Sequence, residues 1–330
     1  MGWMTRAIDA GKDYRNTLDD VADGLFVDIG DTHAKRSQFW MLLVLSAIIA
    51  AGGVVGDATP AVIGAMIVAP LATPIYGVAL AAVIGSSGRL RAALTLLVSG
   101  IVVNIAVGVL VGLLSAKRMP IDANPQIVGR TAPSLLDLVV AVATGVAGSF
   151  ALTRRDVSNI LAGVAIAISL VPVLAVVGIT AGAGRFDLAW GALLLFLTNV
   201  AAILIAGALV FGAAGYAREA AERDPRIARR ARAFIIVFVV AILVPLGAAS
   251  VRTSRYEGWV SSTTKAADQW VQGTEWTLDS VRVSGDDIVI TVLGAGARPP
   301  TEQLKAQVRR DVPDKVPVVL VEENGTTTKL

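Results

Sequence analysis

The residues with chemistry to offer are few, and most are neutral. Thr73, Ser99, Asn104, Ser169, Thr198 and Asn199 place hydroxyl and carboxamide groups inside long apolar runs. Asp57 and Asp156 stand at the edges of two such runs, followed by Thr59 and Ser158. Prolines interrupt the same two runs, Pro70 and Pro74 in one and Pro172 in the other. A proline has no N–H and clashes with the preceding turn, so it frees carbonyls about one turn earlier, here near Met66, Pro70 and Ile168. Half-helices meeting at such breaks also present dipole ends of opposite sign. Groups of this kind hold a small solute or ion rather than make and break bonds. The two carboxylates admit two readings, cation or proton handling and capping of the helix that follows. Asp156 also has Arg154 and Arg155 beside it as ion-pair partners.

Catalytic chemistry is poorly supplied. His33, the sole histidine, lies in a polar N-terminal segment, and the chain has no cysteine. No phosphate loop and no nucleophile with a neighbouring base occurs on an apolar run. We therefore expect no enzyme activity, no cofactor and no metal site.

The elements that position these groups follow from composition. The 330 residues are 55% hydrophobic and 17% charged, with a mean hydropathy of +0.68, well beyond a soluble globule. A helix needs about 20 apolar residues to cross a bilayer. The runs give seven crossings, about 38–55, 58–86, 91–115, 135–153, 158–183, 187–215 and 233–252. Residues 1–37 have Leu18, Val21, Ala22, Leu25 and Phe26 at helical spacing, which predicts an amphipathic helix lying on the bundle or the membrane surface. No apolar run follows the first charges, so the first crossing directs insertion itself.

Lys35, Arg36, Arg89, Arg91, Arg154, Arg155 and the arginines from Arg218 to Arg232 fall on one side, and the positive-inside bias makes that side cytoplasmic. Lys117, Arg118 and Arg130 stand on the disfavoured side. From residue 253 to 330 the composition becomes that of a soluble domain, expected outside the cytoplasm. Helix, hairpin, helix and strand signals predict a small α+β domain with a return strand around Asn324-Gly325. The transmembrane domain is 38–252, divided into 38–115, 135–215 and the extra crossing 233–252.

Sliding the chain by 99 residues pairs Asp57 with Asp156, Gly64 with Gly163, Ile67 with Ile166, Leu71 with Leu170, Val78 with Val177, Gly85 with Gly184 and Gly108 with Gly207. Thr59 meets Ser158, and Ser99 meets Thr198. Three crossings per unit force the two units into opposite orientations. Inverted repeats of this kind put solute sites near the midplane, at broken helices in corresponding positions. The second and fifth crossings correspond, and each has its proline. The plainer reading is packing, since kinks and hydroxyl residues are common in membrane helices. Gly108 and Gly112 form a close-packing pattern, internal or between subunits.

The runs GAMIVAPLATP (Gly64 to Pro74), LAGVAIAISLVPVLAVVG (Leu161 to Gly178) and Leu197-Thr198-Asn199 resemble a bacterial and archaeal membrane family known as the domain-of-unknown-function 389 family. The resemblance covers about residues 38–215. It implies a multi-pass cell-membrane protein whose signature lies in the two proline-containing crossings. The family pattern has a second proline after the position of Pro172, where this chain has Val173, so the sequence leaves the sharpness of the fifth break open.

The fold expected is thus a polytopic α-helical membrane protein of about seven transmembrane helices, with a 3+3 inverted repeat, broken helices 2 and 5 and a small α+β C-terminal domain. The function expected is a transporter or channel for a small solute or ion, with its path between crossings 2 and 5. The alternative is a membrane scaffold or sensor whose C-terminal domain mediates assembly or partner binding. Its partners are the lipid bilayer, the small solute or ion and, as an open alternative, further copies in a homo-oligomer. Nucleic acid is not expected, because the arginines sit beside the crossings as topology signals.

Overall fold

A charge-free run of leucine, valine and alanine can satisfy its own backbone in lipid only as a helix, and the computed structural model builds the chain on that basis. The structure describes residues 14–115, 121–131, 135–157, 170–223, 256, 258–284, 287–294 and 299–324. These divide into two compact units, Met1–Leu246 and Gly247–Leu330.

The first unit contains α1 (Leu18–Leu25), α2 (Thr32–Val55), α3 (Thr59–Val68), α4 (Ala72–Val83) and α5 (Ser87–Ser115). After a turn of 3-10 helix come α6 (Pro125–Val128), α7 (Leu135–Leu152), α8 (Val171–Gly182), α9 (Phe186–Ala213) and α10 (Tyr216–Arg223). Among the described residues α2, α5 and α9 are long and apolar enough to cross a membrane. Taken as one span, α3 with α4, a pair bent by 44° at its break, is a fourth. The apolar helices α7 and α8 are shorter. Ile48, Val102, Leu110, Val139 and Leu209 are exposed on these helices, as side chains that meet lipid would be. The chain is membrane-associated. The expected crossing at 233–252 lies outside the described residues.

Polar contacts gather at the two ends of the bundle. At one end α1 is a docking helix, with Leu18, Val21, Ala22 and Leu25 buried. Thr17 starts it with a reciprocal capping box to Asp20. Beside it, Arg15 pairs with Glu219 at 3.0 Å, Arg155 with Asp20 at 2.6 Å and Lys35 with Asp23 at 2.9 Å. The Asn16 N–H donates to Thr153 O, the Tyr216 hydroxyl donates to Asn16 O, and Arg89 lies over the Phe26 ring. Residues 14–35, Arg89, 153–156 and 216–219 therefore share one end of the bundle. At the opposite end Asn124 caps α6 and donates to Val54 O, while Gln126 donates to the Thr59 hydroxyl at 2.9 Å. Arg130 is committed to the carbonyl and side-chain oxygens of Gln126, so its charge on this side is held by the loop itself.

Between the ends, two helices touch backbone to backbone. A Cβ added at Gly108 of α5 would stand 2.8 Å from Ala175 O and 2.9 Å from Gly178 Cα of α8. Further along, Gly112 lies on Ile179, and Gly182 on Val109 and Leu113, so α5 and α8 run parallel. A second glycine contact, between α9 and α4, is made against side chains. Gly207 of α9 lies on Tyr76 and Ala79 of α4, residues that precede Ala175 and Gly178 by 99 positions, as Gly108 precedes Gly207. The turns after α4 and α8 also match. Gly85 (φ 64°) and Gly184 (φ 80°) close them in the left-handed region, where glycine carries no Cβ penalty. The Ser86 N–H donates to Ala81 O at 3.0 Å, and the Arg185 N–H to Thr180 O at 2.8 Å.

In the second unit a helix over residues 258–271 precedes β1 (Trp276–Ser284), β2 (Asp287–Gly294), α12 (Thr301–Val308) and β3 (Val318–Asn324), the first helix being α11. Strand order is β1-β2-β3, with β1 antiparallel and β3 parallel to β2. The parallel pair follows from the α12 crossover. Ile288, Ile290 and Val292 of β2 meet Ala267, Trp270, Leu304 and Val308 in one core. The expected return strand at Asn324-Gly325 runs into residues outside those described.

Two predictions test this packing. Gly178→Ala forces a Cβ against the Ile105 carbonyl and Gly108 and should cost ~1–3 kcal/mol, read as a lower thermal midpoint in detergent. Gly64→Ala, which meets nothing within 4 Å, should not. The second concerns pH. Hydrogen bonds from Thr17, then Arg155, hold the Asp20 carboxyl at about 2, against an ordinary 3.8. A depressed carboxylate contributes stability above its unfolded value and loses it as pH falls through the folded one. A fluorophore on Gly24→Cys, in a chain with no native cysteine, should report α1 loosening between about pH 4 and pH 2; Asp20→Asn should abolish that transition.

Candidate functional site

The bend between α3 and α4 and the start of α8 lie at one depth. Gly100 of α5 packs on the Leu71 side chain, at the bend between α3 and α4. Along the α5–α8 seam, Gly108 lies beside Ala175 and Gly178, so Ile101 is level with Val171, the first residue of α8. Ile101 is also the middle residue of the 29-residue α5, about 21 Å from either end.

Asn104 stands at this depth. It belongs to the buried stripe of α5 with Leu97, Gly100 and Gly108 and is 1% exposed. Neither its Nδ2 nor its Oδ1 has a hydrogen-bond partner. Side chains on a helix lean toward its N-terminus, which carries the carboxamide from the level of Leu174 toward that of Val171. Asn199 occupies the corresponding depth on α9. Val171 lies thirteen residues before the Gly184 turn and Leu197 thirteen after it, so Asn199 lies level with the start of α8. It is 2% exposed, and its Oδ1 also lacks a partner. Buried polar groups are nearly always bonded, so these call for an explanation.

Both half-helices start without a cap. Leu71 precedes α4 and Leu170 precedes α8, and neither start has a side-chain hydrogen bond. Pro74 and Pro172 sit in the first turns, where a missing N–H costs least. α3 ends at the break with the Ala69 N–H on Ala65 O.

The other expected residues divide. Met66 and Pro74 are buried beside the break, and Thr73 is half-buried there. The Pro70 carbonyl is not free as the proline pattern predicts, since it accepts the Thr73 N–H at 3.2 Å. Thr198 neighbours Asn199 and is half-buried. Ser99 turns its hydroxyl back to Thr95 O at 2.7 Å and Leu96 O, lining an open apolar groove of about 820 Å³ on α5. Thr59 is exposed at the far end, tied to Gln126. Asp57 does not cap α3. The N-cap is Ala58 without a side-chain bond, and Asp57 takes a left-handed φ of 46° in the preceding turn. Asp156 is held by Arg154 at 2.6 and 2.7 Å, which lowers its pKa. The two aspartates are at opposite ends of the bundle. Ser158, Ile168 and Ser169 lie outside the described residues. Among the described residues no three His, Cys, Asp or Glu side chains are placed to share a metal ion.

Tyr76 is a further residue near the site, one that the proline and repeat patterns do not mark. Its hydroxyl donates to Gly145 O at 3.1 Å, tying α4 to α7 one turn beyond the break. A tyrosine hydroxyl in an otherwise apolar run is the signal that points to it, since such a group needs a partner when buried.

Residues 66–205, which contain both breaks and both asparagines, match the family described as Domain of unknown function (DUF389). An uncharacterised protein of Methanocaldococcus jannaschii is 33% identical over 196 residues, covering 59% of this chain and 60% of that protein. Residues 66–205 of this chain thus carry a DUF389 domain. The shared span is about three-fifths of the relative's length. The DUF389 match opens at Met66, at the last turn of α3, and ends in α9 just beyond Asn199.

Asn104→Leu tests whether the asparagine serves packing. Removing a buried unsatisfied carboxamide for an apolar side chain of similar volume should leave stability equal or raise it by ~1–3 kcal/mol. A thermal midpoint several degrees below that of the parent chain would mean that Asn104 is a structural bond-former.

Proposed function

We propose that the first unit is a membrane transporter or channel, with a path for a small solute or ion between the α3–α4 break and the start of α8. The observation that carries this reading is the start of two half-helices at the mid-depth of α5, neither capped by its N-cap side chain, with a buried carboxamide at that level that has no partner among the described residues. Backbone irregularity at that depth persists in a bilayer only against protein or a hydrated cavity.

The reading includes seven crossings arranged as two inverted repeats of three and one extra. Several features support the repeat. α4 and α8 begin and end 99 residues apart, and so do the starts of α5 and α9. A glycine contact and a glycine turn occur in both halves. α2 runs away from the α1 end and α7 toward it, opposite senses for the first helix of each half. With the α1 end in the cytoplasm, as the basic residues favour, the protein is multi-pass in the cell membrane and the second unit follows the seventh crossing on the outer side. No phosphate loop is present, so movement is secondary or passive, and no enzyme activity is assigned.

A scaffold or sensor is the second reading, favoured by the separate core of the second unit and by the exposed Val319 and Val321 of β3. It assigns that unit to partner binding or to homo-oligomer assembly.

Reconstituted into liposomes, the full chain should carry at least one solute from a panel of ions and small metabolites faster than empty vesicles do. Deleting residues 253–330 should leave that flux in place. Flux for no solute, together with an experimental map in which both breaks are continuous helix, would refute the transport reading. Loss of assembly on the same deletion would favour the scaffold.

A further inference from the structure

We infer that the solute held between the breaks is a small anion, recognised without any cationic side chain. This deepens the transport reading and rests on it.

Three independent features set the sign. The first is direction. α4 runs from its break toward the α1 end, and α8 from its break toward the opposite end, so their N-termini converge on one depth from opposite sides. Each helix N-terminus is equivalent to about half a positive charge. In transporters with broken helices such ends face anionic groups.

The second feature is the lack of a cap. Ser, Thr, Asp or Asn ordinarily satisfies the first N–H groups of a helix. Here Leu71 and Leu170, equivalent under the 99-residue offset, occupy both N-cap positions and bond nothing with their side chains. At α4 the Thr73 N–H is taken by Pro70 O and Pro74 has none, and at α8 Pro172 has none; the remaining first-turn donors, those of Ala72 and of Val171 and Val173, find no acceptor in the N-cap side chain.

The third is the buried asparagine. Asn104 is 1% exposed, unpartnered at both polar atoms, and leans over the first turn of α8. Its amino group adds N–H donors to those of the backbone. Asn199 of α9 lies level with the same turn and is 2% exposed.

Charge composition agrees. α3, α4 and α8 contain no Asp, Glu, Lys or Arg, and neither do Ala92–Ser115 of α5 or Leu188–Ala213 of α9. A cation would meet two positive dipole ends with no carboxylate to offset them. A neutral solute accepts the same hydrogen bonds but gains little from the dipole charge. An anion gains from both ends and from the Asn104 amino group, and charge-assisted hydrogen bonds are the stronger kind.

The test uses the full chain in liposomes and, in parallel, in detergent. Chloride, nitrate, formate and acetate are the anion probes, glycerol the neutral probe, and sodium and potassium the cation probes. At least one anion should show flux and should raise the thermal midpoint of the protein in detergent at fixed ionic strength. Asn104→Leu should stay folded, lose the anion-dependent rise and lower anion flux by about tenfold or more. Flux confined to glycerol or to the cations would overturn the anion assignment while leaving transport standing. If no probe crosses, the transport reading fails, and the midpoint shift still decides whether the site takes an anion. A midpoint unmoved by all four anions overturns the inference, whether or not the variant folds.

Discussion

The close contact of α5 with α8 governs the rest of the membrane unit. Helices in lipid gain little from hydrophobic attraction to each other, so they associate through packing that lets backbones approach. Gly108 and Gly178 give that approach at its limit, with a Cβ at either position running into the other helix. The contact does more than bind two helices. Because α5 is long and α8 short, their register decides where along the bundle α8 starts, and it starts at the middle. Gly207 makes room for the Tyr76 ring and the Ala79 methyl group, which seats α4 on α9 through side chains. Breaks at matching depth are thus a consequence of where small residues fall.

Charge is arranged by the same medium. Burying an ion in hydrocarbon is costly, and the described interior leaves its polar work to asparagine, threonine, serine and tyrosine. The ions that are present work at the ends. Arg15, Arg154 and Arg155 with Asp20, Asp156 and Glu219 fasten α1 and the loop after α7 into one surface. Individually such exposed pairs contribute little. With the buried face of α1 beneath them, they set its position rather than its affinity. The contact of Gly77 with Leu25 O and the Phe26 ring places that clasp directly on α4, the half-helix that begins at the break.

Much of this is legible in the residues themselves. Glycine, proline and charge-free runs constrain the backbone directly, so the apolar helices, the bend near Pro70 and the pairing of Gly85 with Gly184 all follow from the order of residues along the chain. Groups whose role depends on a distant partner do not. Nothing near Asn124 in sequence announces Val54 or Thr59, and Tyr76 finds Gly145 at a separation of 69 residues. Local competition also misleads. Ser99 reads as a polar lining residue, yet its hydroxyl is satisfied by its own helix, the usual fate of serine in an apolar helix. Asp57 reads as a cap, yet the chain needs a left-handed residue there, which aspartate tolerates better than most.

The apolar caps also bear on how such a site can be stable at all. Replacing a good N-cap by an apolar residue costs about 1 kcal/mol, and an unpaired buried amide costs roughly 1–3 kcal/mol. Leu71, Leu170 and Asn104 therefore represent a deficit of several kcal/mol that the surrounding packing must carry. Serine at either cap would supply an acceptor but empty space that Leu71 or Leu170, both fully buried, now fills, at a cost of ~2–5 kcal/mol. Under the proposed reading the deficit is what a bound solute recovers, so donors left unsatisfied in the folded chain become the source of its affinity. The same logic limits that affinity. A site that must also release its solute gains from donors on rigid half-helices, which lose little entropy on binding, more than from a mobile arginine, whose full charge would hold the solute in place.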